Sequence, residues 1–323
     1  MNKNLTIKIA LIISSAIIIF LLFNNRHGIL NSFRKDKVPE ISRNIDKLFV
    51  IFYKFDKVKK VTPSEDLSNC VFAKDNLIIK KGNYQFNGQC YNFTEEGLYI
   101  VVNLEDNRKQ QYIVYDSNLF VLMSSISWLI AHGNIDNESS FIELTMKAKA
   151  DKLILTCYFA CNFAKSILDS LQFSSRILAG ISLDEWNGFD DGHNMIEVYS
   201  KKYKKWIVFD IDMNSYFVIN DVPLSFIELT RNLYNDSLLI KSLSNDVKLD
   251  SSYRINNIDF SFYLEYTFNN QLDWYRRVLK VPLIKSGDKF YFYDSADSSM
   301  VKQYSKSFCY IDSSKFLQKF YNY

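Results

Sequence analysis

Apolar residues recur along this chain at changing spacings, and the changes divide it into segments. The first segment, residues 5–23, reads LTIKIALIISSAIIIFLLF and carries a single charge, Lys8. Its length is close to what a helix needs to cross a bilayer. The polar residues 24–27 that follow offer no small residues at the spacing of a cleavage site, which favours a retained anchor over a cleaved signal peptide. We therefore predict a single-pass membrane protein anchored by residues 1–24.

The side of the membrane that holds the rest of the chain is predicted from two opposing features. Arg26, Arg34, Lys35 and Lys37 follow the apolar segment, and the positive-inside rule would keep them in the cytoplasm. A single N-terminal anchor ahead of a large domain is a common arrangement for export, and on that ground we predict an extracytoplasmic soluble domain.

Beyond the anchor, the apolar spacing predicts four regions. Residues 25–60 read as a polar linker followed by a helix, because Ile45, Leu48, Ile51 and Phe52 have helical spacing. Residues 61–117 read as a β-rich subdomain, since β-branched and aromatic runs alternate there with turn signals such as Asn87-Gly88. Residues 118–225 read as an α+β core, and residues 226–323 as a mixed α/β extension rich in aromatic residues.

The core begins with two predicted helices, at residues 118–132 and 139–152. His132 stands at the end of the first, where a cation is favoured, so we interpret it as a capping or surface residue. A third helix is predicted from Thr156, a good N-cap residue.

Composition narrows the classes of function. The 39 basic and 36 acidic residues give a net charge of +3, and no basic face indicates nucleic-acid binding. The three histidines and five cysteines show no metal-ligand spacing, and no cofactor or metal is predicted. Cys70 and Cys90 flank a β-like segment, and either a disulfide or two buried free thiols fits them.

Cys157 is the candidate nucleophile. It lies in the first turn of the third helix, where the helix dipole stabilises a thiolate. The same turn has backbone N–H groups without helical partners, and these can receive an oxyanion.

A predicted hairpin supplies the partners for this thiol. Residues 193–199 and 206–210 have strand character and flank a polar loop. If the turn is centred between Lys201 and Lys202, His193 lies opposite Asp210, with Cβ atoms about 5 Å apart on one face. A shift of two residues would leave a diagonal contact, whereas a shift of one would turn Asp210 to the other face. Asp212 is the second candidate for the acid.

Residues 157–212 resemble the transglutaminase-like (papain-like) cysteine enzymes. The similar elements are the Cys at a helix start, Ser175-Arg176-Ile-Leu-Ala-Gly180, the strand His193-Asn-Met-Ile-Glu197-Val198, and Trp206 through Asp210. The chain departs from the family pattern at Leu155, Cys161 and Met195, where the family has Gly, Ala and Trp. Arg176 and Glu197 are interpreted as scaffold residues, and Trp128 as a core residue at a place where the family sometimes has an oxyanion-stabilising group.

The resemblance implies a fold and a function. The expected fold is α+β, with the Cys helix packed on an antiparallel sheet, an N-terminal transmembrane helix and extra β-rich segments. The expected site is a catalytic triad of Cys157, His193 and Asp210, which acts on amide bonds through a thioester, as a peptidase, amidase or acyltransferase. The substrate would be a protein, a peptide, or a peptidoglycan- or glycan-linked amide. The alternative is an inert binding or assembly module at the membrane.

Overall fold

The computed structural model describes residues 48–54, 57–61, 63–64, 68–73, 76–86, 88–103, 108–182, 192–243, 254–255, 258–259, 270–293, 301 and 307–322. Its helices include α1 (Leu119–Trp128), α2 (Phe141–Ala148), α3 (Cys157–Ser170), α4 (Phe226–Arg231), α5 (Gln271–Val278) and α6 (Ser313–Tyr321). The first eleven strands are β1 (Leu48–Lys54), β2 (Lys57–Val61), β3 (Pro63–Ser64), β4 (Val71–Phe72), β5 (Ile78–Ile79), β6 (Gly82–Phe86), β7 (Gln89–Phe93), β8 (Gly97–Asn103), β9 (Lys109–Val114), β10 (Ile130–His132) and β11 (Leu153–Leu155). They are followed by β12 (Ser175–Ile181), β13 (Gly192–Ser200), β14 (Lys205–Asp210), β15 (Ser215–Ile219), β16 (Val222–Pro223), β17 (Leu238–Ser242), β18 (Arg254–Ile255), β19 (Ile258–Asp259), β20 (Val281–Ser286), β21 (Lys289–Phe292) and β22 (Phe308–Tyr310).

The N-terminal part of the described chain is built from two sheets. One has the order β2-β1-β8-β9-β5 and the other β3-β7-β6-β4. Apolar and aromatic side chains from both sheets form a shared core, which includes Phe86, Tyr91, Phe93, Tyr99 and Tyr112. The β-rich character predicted for residues 61–117 is therefore observed.

The helix predicted within residues 25–60 is wrong where the structure describes it. Residues 48–54 and 57–61 are strands β1 and β2, and β1 pairs with β8 over six positions, from Leu48–Asn103 to Tyr53–Leu98. The run LFVIFYK is β-branched and aromatic, and sheet pairing outweighs the helical spacing of its apolar positions.

The predicted fold class included an N-terminal transmembrane helix, and this part of the prediction needs correction. Across the parts of the chain that the structure describes, no helix combines the length and the apolar character required to span a bilayer. The predicted span, residues 5–23, lies outside the described residues. The architecture that the structure supports is α+β and rich in sheet, without a membrane-spanning helix among its described elements.

A disulfide joins Cys70 and Cys90, with 6.2 Å between their Cα atoms. Of the two alternatives that the sequence left open for this pair, the structure has the bridge. Cys157, Cys161 and Cys309 are free.

A larger sheet carries the candidate site. Its order is β16-β15-β14-β13-β12-β20-β21-β22, and β17 pairs with β15. Helix α3 packs against β12 and β13, and α5 also packs against β12. The sheet includes strands from both the predicted core and the predicted C-terminal extension, because β20 pairs with β12.

At Gly180 on β12, the C-terminal end of α5 approaches the sheet very closely. An ideal Cβ at this position would lie 2.3 Å from the carbonyl oxygen of Val278 and 2.5 Å from a methyl carbon of Leu279. Only glycine leaves room for this approach. Gly180 is also the cross-strand partner of His193, so the close packing lies directly beside the candidate site.

Candidate active site

Cys157 is the first residue of α3 and follows strand β11 almost directly. Thr156 occupies the N-cap position with extended backbone, but its side chain makes no capping hydrogen bond. Instead, Asn137 holds it, with the Nδ2 of Asn137 donating to Thr156 Oγ1 at 3.3 Å and Thr156 N–H donating to Asn137 Oδ1 at 3.1 Å. The first-turn amides of α3 are therefore not capped by the N-cap side chain and point towards the same end of the helix as the thiol.

His193 and Asp210 lie on neighbouring strands, β13 and β14. His193 Nε2 is 2.6 Å from Asp210 Oδ2, and both side chains are almost fully buried. The strands pair in the register Ile196–Phe209 through Ser200–Lys205, which is two residues away from the predicted one. The His–Asp contact is consequently diagonal, and it forms because a two-residue shift keeps both side chains on the same face.

Asp210 accepts hydrogen bonds from three donors. Its Oδ2 accepts from His193 and from the hydroxyl of Tyr275 at 2.6 Å, and its Oδ1 accepts from the backbone N–H of Met213 at 2.9 Å. Burial, followed by the charge of Asp210, raises the pKa of Tyr275 well above its usual value, so this hydroxyl remains a donor. The carboxylate is thus fixed in one orientation, with its charge directed at the imidazole.

The thiol of Cys157 lies close to the imidazole of His193. Its Sγ is within 4.8 Å of a ring nitrogen of His193, and Nδ1 is the nitrogen that the Asp210 contact leaves available. Burial acts to lower the pKa of His193, but the charge and hydrogen bond of Asp210, together with the Cys157 sulfur, outweigh it and place the pKa well above its usual value. The arrangement therefore stabilises the imidazolium that forms once the ring has accepted a proton.

Asn194 is a neighbour of the thiol that the sequence did not single out. Cys157 Sγ lies 3.7 Å from Asn194 Oδ1, and Asn194 Nδ2 donates to the carbonyl oxygen of Leu178 at 3.1 Å. Because the amide nitrogen is engaged by a strand carbonyl, the amide oxygen is the atom presented to sulfur. The thiol donates to this oxygen in the observed state.

The second cysteine of α3 has a different environment. Cys161 is one turn after Cys157 and is completely buried. Burial, followed by the charges of Cys157, Asp210 and Asp212, holds the pKa of Cys161 well above its usual value. It is thus a neutral core thiol, and Cys157 is the accessible one of the two.

His132 is not the helix-end residue that the sequence predicted. Helix α1 ends at Trp128, and His132 lies on β10, which runs parallel to β11 and places His132 opposite Leu155. Its Nδ1 is 2.9 and 2.7 Å from the two carboxylate oxygens of Asp212. The capping interpretation was wrong because the short parallel pair β10–β11 ends the helix early and turns His132 towards the turn after β14.

Asp212 lies beside the nucleophile rather than opposite His193 in a strand pair. Its side chain is 1% exposed, and one of its oxygens lies within 4.8 Å of both Cys157 Sγ and a ring nitrogen of His193. The turn that carries it is held by α1, where Ser127 Oγ lies 2.8 Å from the carbonyl oxygen of Ile211 and 3.0 Å from Asn214 Oδ1. The site therefore has two His–Asp pairs, of which His193–Asp210 is the fully buried one.

Helix α5 supplies an aromatic wall to the site. The rings of His193 and Trp274 meet edge to face, with centroids 4.6 Å apart, and Tyr275 binds Asp210 as described. The sequence gave Trp274 and Tyr275 no role, because they stand far from Asp210 in the chain and no local pattern connects them.

Arg176, Glu197 and Trp128 have surroundings that fit the structural roles predicted for them. Arg176 and Glu197 form a buried ion pair, with Nη2 2.6 Å from Oε2, and the guanidinium stacks over Trp206 at 4.0 Å from the ring centroid. Burial, against the opposing charge of Arg176, raises the pKa of Glu197. Trp128 is buried at the end of α1 with the Lys152 ammonium 4.2 Å from its ring centroid, which agrees with core packing.

Three of these side chains also offer a donor set suited to a metal ion. Cys157 provides sulfur, His193 nitrogen and Asp212 oxygen, all within 4.8 Å of one another. This grouping was not predicted, since the three residues have no metal-ligand spacing in sequence.

Comparison with models of known protein families gives no match, and neither does comparison with curated proteins. The resemblance to transglutaminase-like enzymes therefore depends on the sequence motifs between residues 157 and 212 alone.

Proposed function

We propose that this chain is a cysteine enzyme of the transglutaminase-like type, which acts on amide bonds through a thioester on Cys157. The observation that supports the proposal most strongly is the convergence of three side chains. Cys157 Sγ is within 4.8 Å of a His193 ring nitrogen, and His193 Nε2 is 2.6 Å from Asp210 Oδ2. A carboxylate that fixes the imidazole and an imidazole that takes the thiol proton are the parts of an activated nucleophile.

The first half of the proposed reaction forms the thioester. His193 Nδ1 takes the proton of Cys157, and the thiolate attacks the amide carbon. The oxyanion that forms is received by first-turn backbone N–H groups of α3. The C–N bond then breaks, His193 gives its proton to the leaving nitrogen, and an amine departs.

The second half releases the acyl group. Water or a second amine attacks the thioester carbon and gives a proton to His193. The C–S bond breaks, and the thiol is restored when the imidazolium returns the proton to sulfur. Asp210 stays ionised throughout and stabilises the imidazolium.

The proton transfer requires a small movement of the sulfur. In the observed state the thiol donates to Asn194 Oδ1 at 3.7 Å, so Sγ must turn towards His193. Catalytic hydrogen bonds commonly tighten only when substrate is bound. Cys157 is only partly buried, which leaves its side chain room for this rotation.

The alternative is an inert binding or assembly module, and the Asn194 contact is the observation that favours it. An amide oxygen beside sulfur stabilises the neutral thiol, and a thiolate in the same place would face a partial negative charge. The two functions therefore differ in what the thiol does when a reactive carbonyl is supplied.

The experiment uses p-nitrophenyl acetate, a small activated ester that acylates reactive thiols. We expect a burst of p-nitrophenol and an acetyl group mapped to Cys157 by peptide mass spectrometry. Cys157→Ser and His193→Ala should abolish the burst, whereas Cys309→Ser, which removes a free thiol on β22, should leave it intact. A folded wild-type chain without a burst or an adduct would favour the inert module.

A further inference from the structure

The side chains of Cys157, His193 and Asp212 form a compact cluster with a mixed donor set. One sulfur, one ring nitrogen and one carboxylate oxygen lie within 4.8 Å of one another. We propose that this cluster binds a borderline-soft divalent cation, Zn²⁺ in particular, and that the bound cation blocks the nucleophile. Asp212 has no role in the proposed catalytic scheme, and it would supply the third protein ligand to the cation.

The donor set and spacing suit zinc. Tetrahedral zinc binds thiolate sulfur at about 2.3 Å and imidazole nitrogen at about 2.0–2.1 Å, which puts neighbouring ligand atoms about 3.3–3.7 Å apart. The three donor atoms lie within 4.8 Å of one another, so the side chains must close to this spacing when the ion binds. Cys157 is the partly buried member, and rotation of its side chain away from Asn194 moves sulfur into the cluster. Three protein ligands leave a fourth position for water.

Both buried ligands are already held in orientation by a second residue. His193 Nε2 is fixed by Asp210 at 2.6 Å, which leaves Nδ1 for a cation. Asp212 is fixed by His132 Nδ1, which lies 2.9 and 2.7 Å from its two oxygens. Such outer partners orient metal ligands and typically change metal affinity about 10- to 100-fold when removed.

Charge and burial select the kind of cation. A thiolate and a carboxylate together neutralise a divalent ion, and the side chains of His193 and Asp212 are 3% and 1% exposed. Mg²⁺ and Ca²⁺ prefer six or more oxygen ligands and retain water, which this buried sulfur-nitrogen-oxygen set does not provide. Thiolate and imidazole favour zinc.

Binding the cation has a consequence for the proposed reaction, and that consequence rests on the proposed function. The cation would engage the sulfur that attacks the amide and the ring nitrogen that takes its proton. Zinc would therefore act as a reversible inhibitor, and chelation would restore the enzyme.

The test is a Zn²⁺ titration of the whole purified chain with its Cys70–Cys90 bridge intact, followed by competition with a chromogenic chelator. We expect one Zn²⁺ per wild-type chain. Cys157→Ser and Asp212→Asn should weaken binding by at least about 10-fold, and His132→Gln by about 10- to 100-fold. Cys309→Ser keeps the cluster and serves as the matched control, with unchanged affinity. Thermal unfolding of each variant shows that it is folded, and His132→Gln tests the site without altering a ligand.

Two readouts separate this inference from the proposed function. Zinc affinity that is unchanged by Asp212→Asn and His132→Gln, or lowered equally by Cys309→Ser, would overturn the metal site. Acetylation of Cys157 that zinc neither slows nor prevents would also overturn it, while the catalytic proposal would stand. Conversely, zinc binding at this cluster in a chain that is never acetylated would sustain the metal site and count against the enzyme.

Discussion

The imidazole of His193 contacts the carboxylate of Asp210 although the two residues are not cross-strand partners. Nε2 and Oδ2 are 2.6 Å apart, while the pairing of β13 with β14 runs from Ile196–Phe209 to Ser200–Lys205. Continuing that register would put Asp210 opposite Met195, so the contact runs diagonally across the pair. This register differs by two residues from the predicted one, and the difference brings the turn that carries Asp212 closer to the site.

Asp210→Asn should destabilise the fold and impair the site together. The carboxylate accepts from His193 and Tyr275 at one oxygen and from the Met213 N–H at the other. An amide nitrogen at either place would face a donor, and the unsatisfied groups should cost about 1–3 kcal/mol in the free energy of unfolding. Urea denaturation measures this cost.

The matched control for that substitution is Asp221→Asn, at an exposed carboxylate whose partner is Lys241. Its effect should stay within about 0.5 kcal/mol. Equal effects of the two substitutions would show that the three-donor arrangement around Asp210 does not form.

Tyr275→Phe should reveal how far α5 supports the site. Removing the hydroxyl takes one donor from a buried carboxylate, a loss of about 1.5–3 kcal/mol for a hydrogen bond to a charged group. We expect lower stability in urea denaturation and slower acetylation of Cys157, because Asp210 gains freedom to move away from His193. Tyr310→Phe, which changes a more exposed tyrosine on β22, should alter neither; the same result for Tyr275→Phe would show that α5 does not support the site.

The proximity of Cys157, His193 and Asp210 could be predicted because these residues follow local rules. A helix start, a β-hairpin and a same-face relationship depend on residues close in the chain, and the contact tolerates a two-residue error in register. The role of His132 was mispredicted because β10 exists only through its parallel partner β11. Tyr275 and Trp274 could not be assigned for a similar reason, since α5 lies far from the hairpin in the chain and reaches the site through tertiary packing, as on β12.

Gly180→Ala should be far more damaging than an ordinary surface substitution. The added methyl group would lie 2.3 Å from the Val278 carbonyl oxygen, so α5 would have to move away from β12. Overpacking of this kind typically costs about 1–3 kcal/mol, and here it would also displace His193, the strand partner of Gly180.

Thermal unfolding of Gly180→Ala should be compared with that of Gly287→Ala. Gly287 has a φ of +61° but open space where a Cβ would lie, so alanine there should cost about 1 kcal/mol of backbone strain alone. If Gly180→Ala were the milder of the two, the close approach of α5 to the sheet would be wrong.

The Cys70–Cys90 bridge should stabilise the N-terminal β part. The two cysteines are separated by 20 residues, and closing a loop of this size contributes about 3 kcal/mol by the chain-entropy model. Unfolding of the oxidised chain with and without reductant measures the difference. Under denaturing but non-reducing conditions, thiol titration should find the three free cysteines Cys157, Cys161 and Cys309; five would mean that the bridge is absent.

The segment from residue 48 to 61 shows where periodicity misleads. Its apolar residues fit a helical spacing, yet β1 lies between β2 and β8 in a sheet. A run of consecutive apolar residues is compatible with both the helical and the strand period. Pairing with β8, about fifty residues later in the chain, decides between them.

Alkylation of Cys157 at pH 6 shows whether His193 activates the sulfur. The rate constant for iodoacetamide is measured at Cys157 and at Cys309 in the same molecule by peptide mass spectrometry, in the wild type and in His193→Ala. If the imidazole held by Asp210 activates the sulfur, Cys157 should react much faster than Cys309, and His193→Ala should slow it by at least about 100-fold without affecting Cys309. Equal rates at the two cysteines in the wild type, or a Cys157 rate that His193→Ala leaves unchanged, would contradict an activated nucleophile at this site.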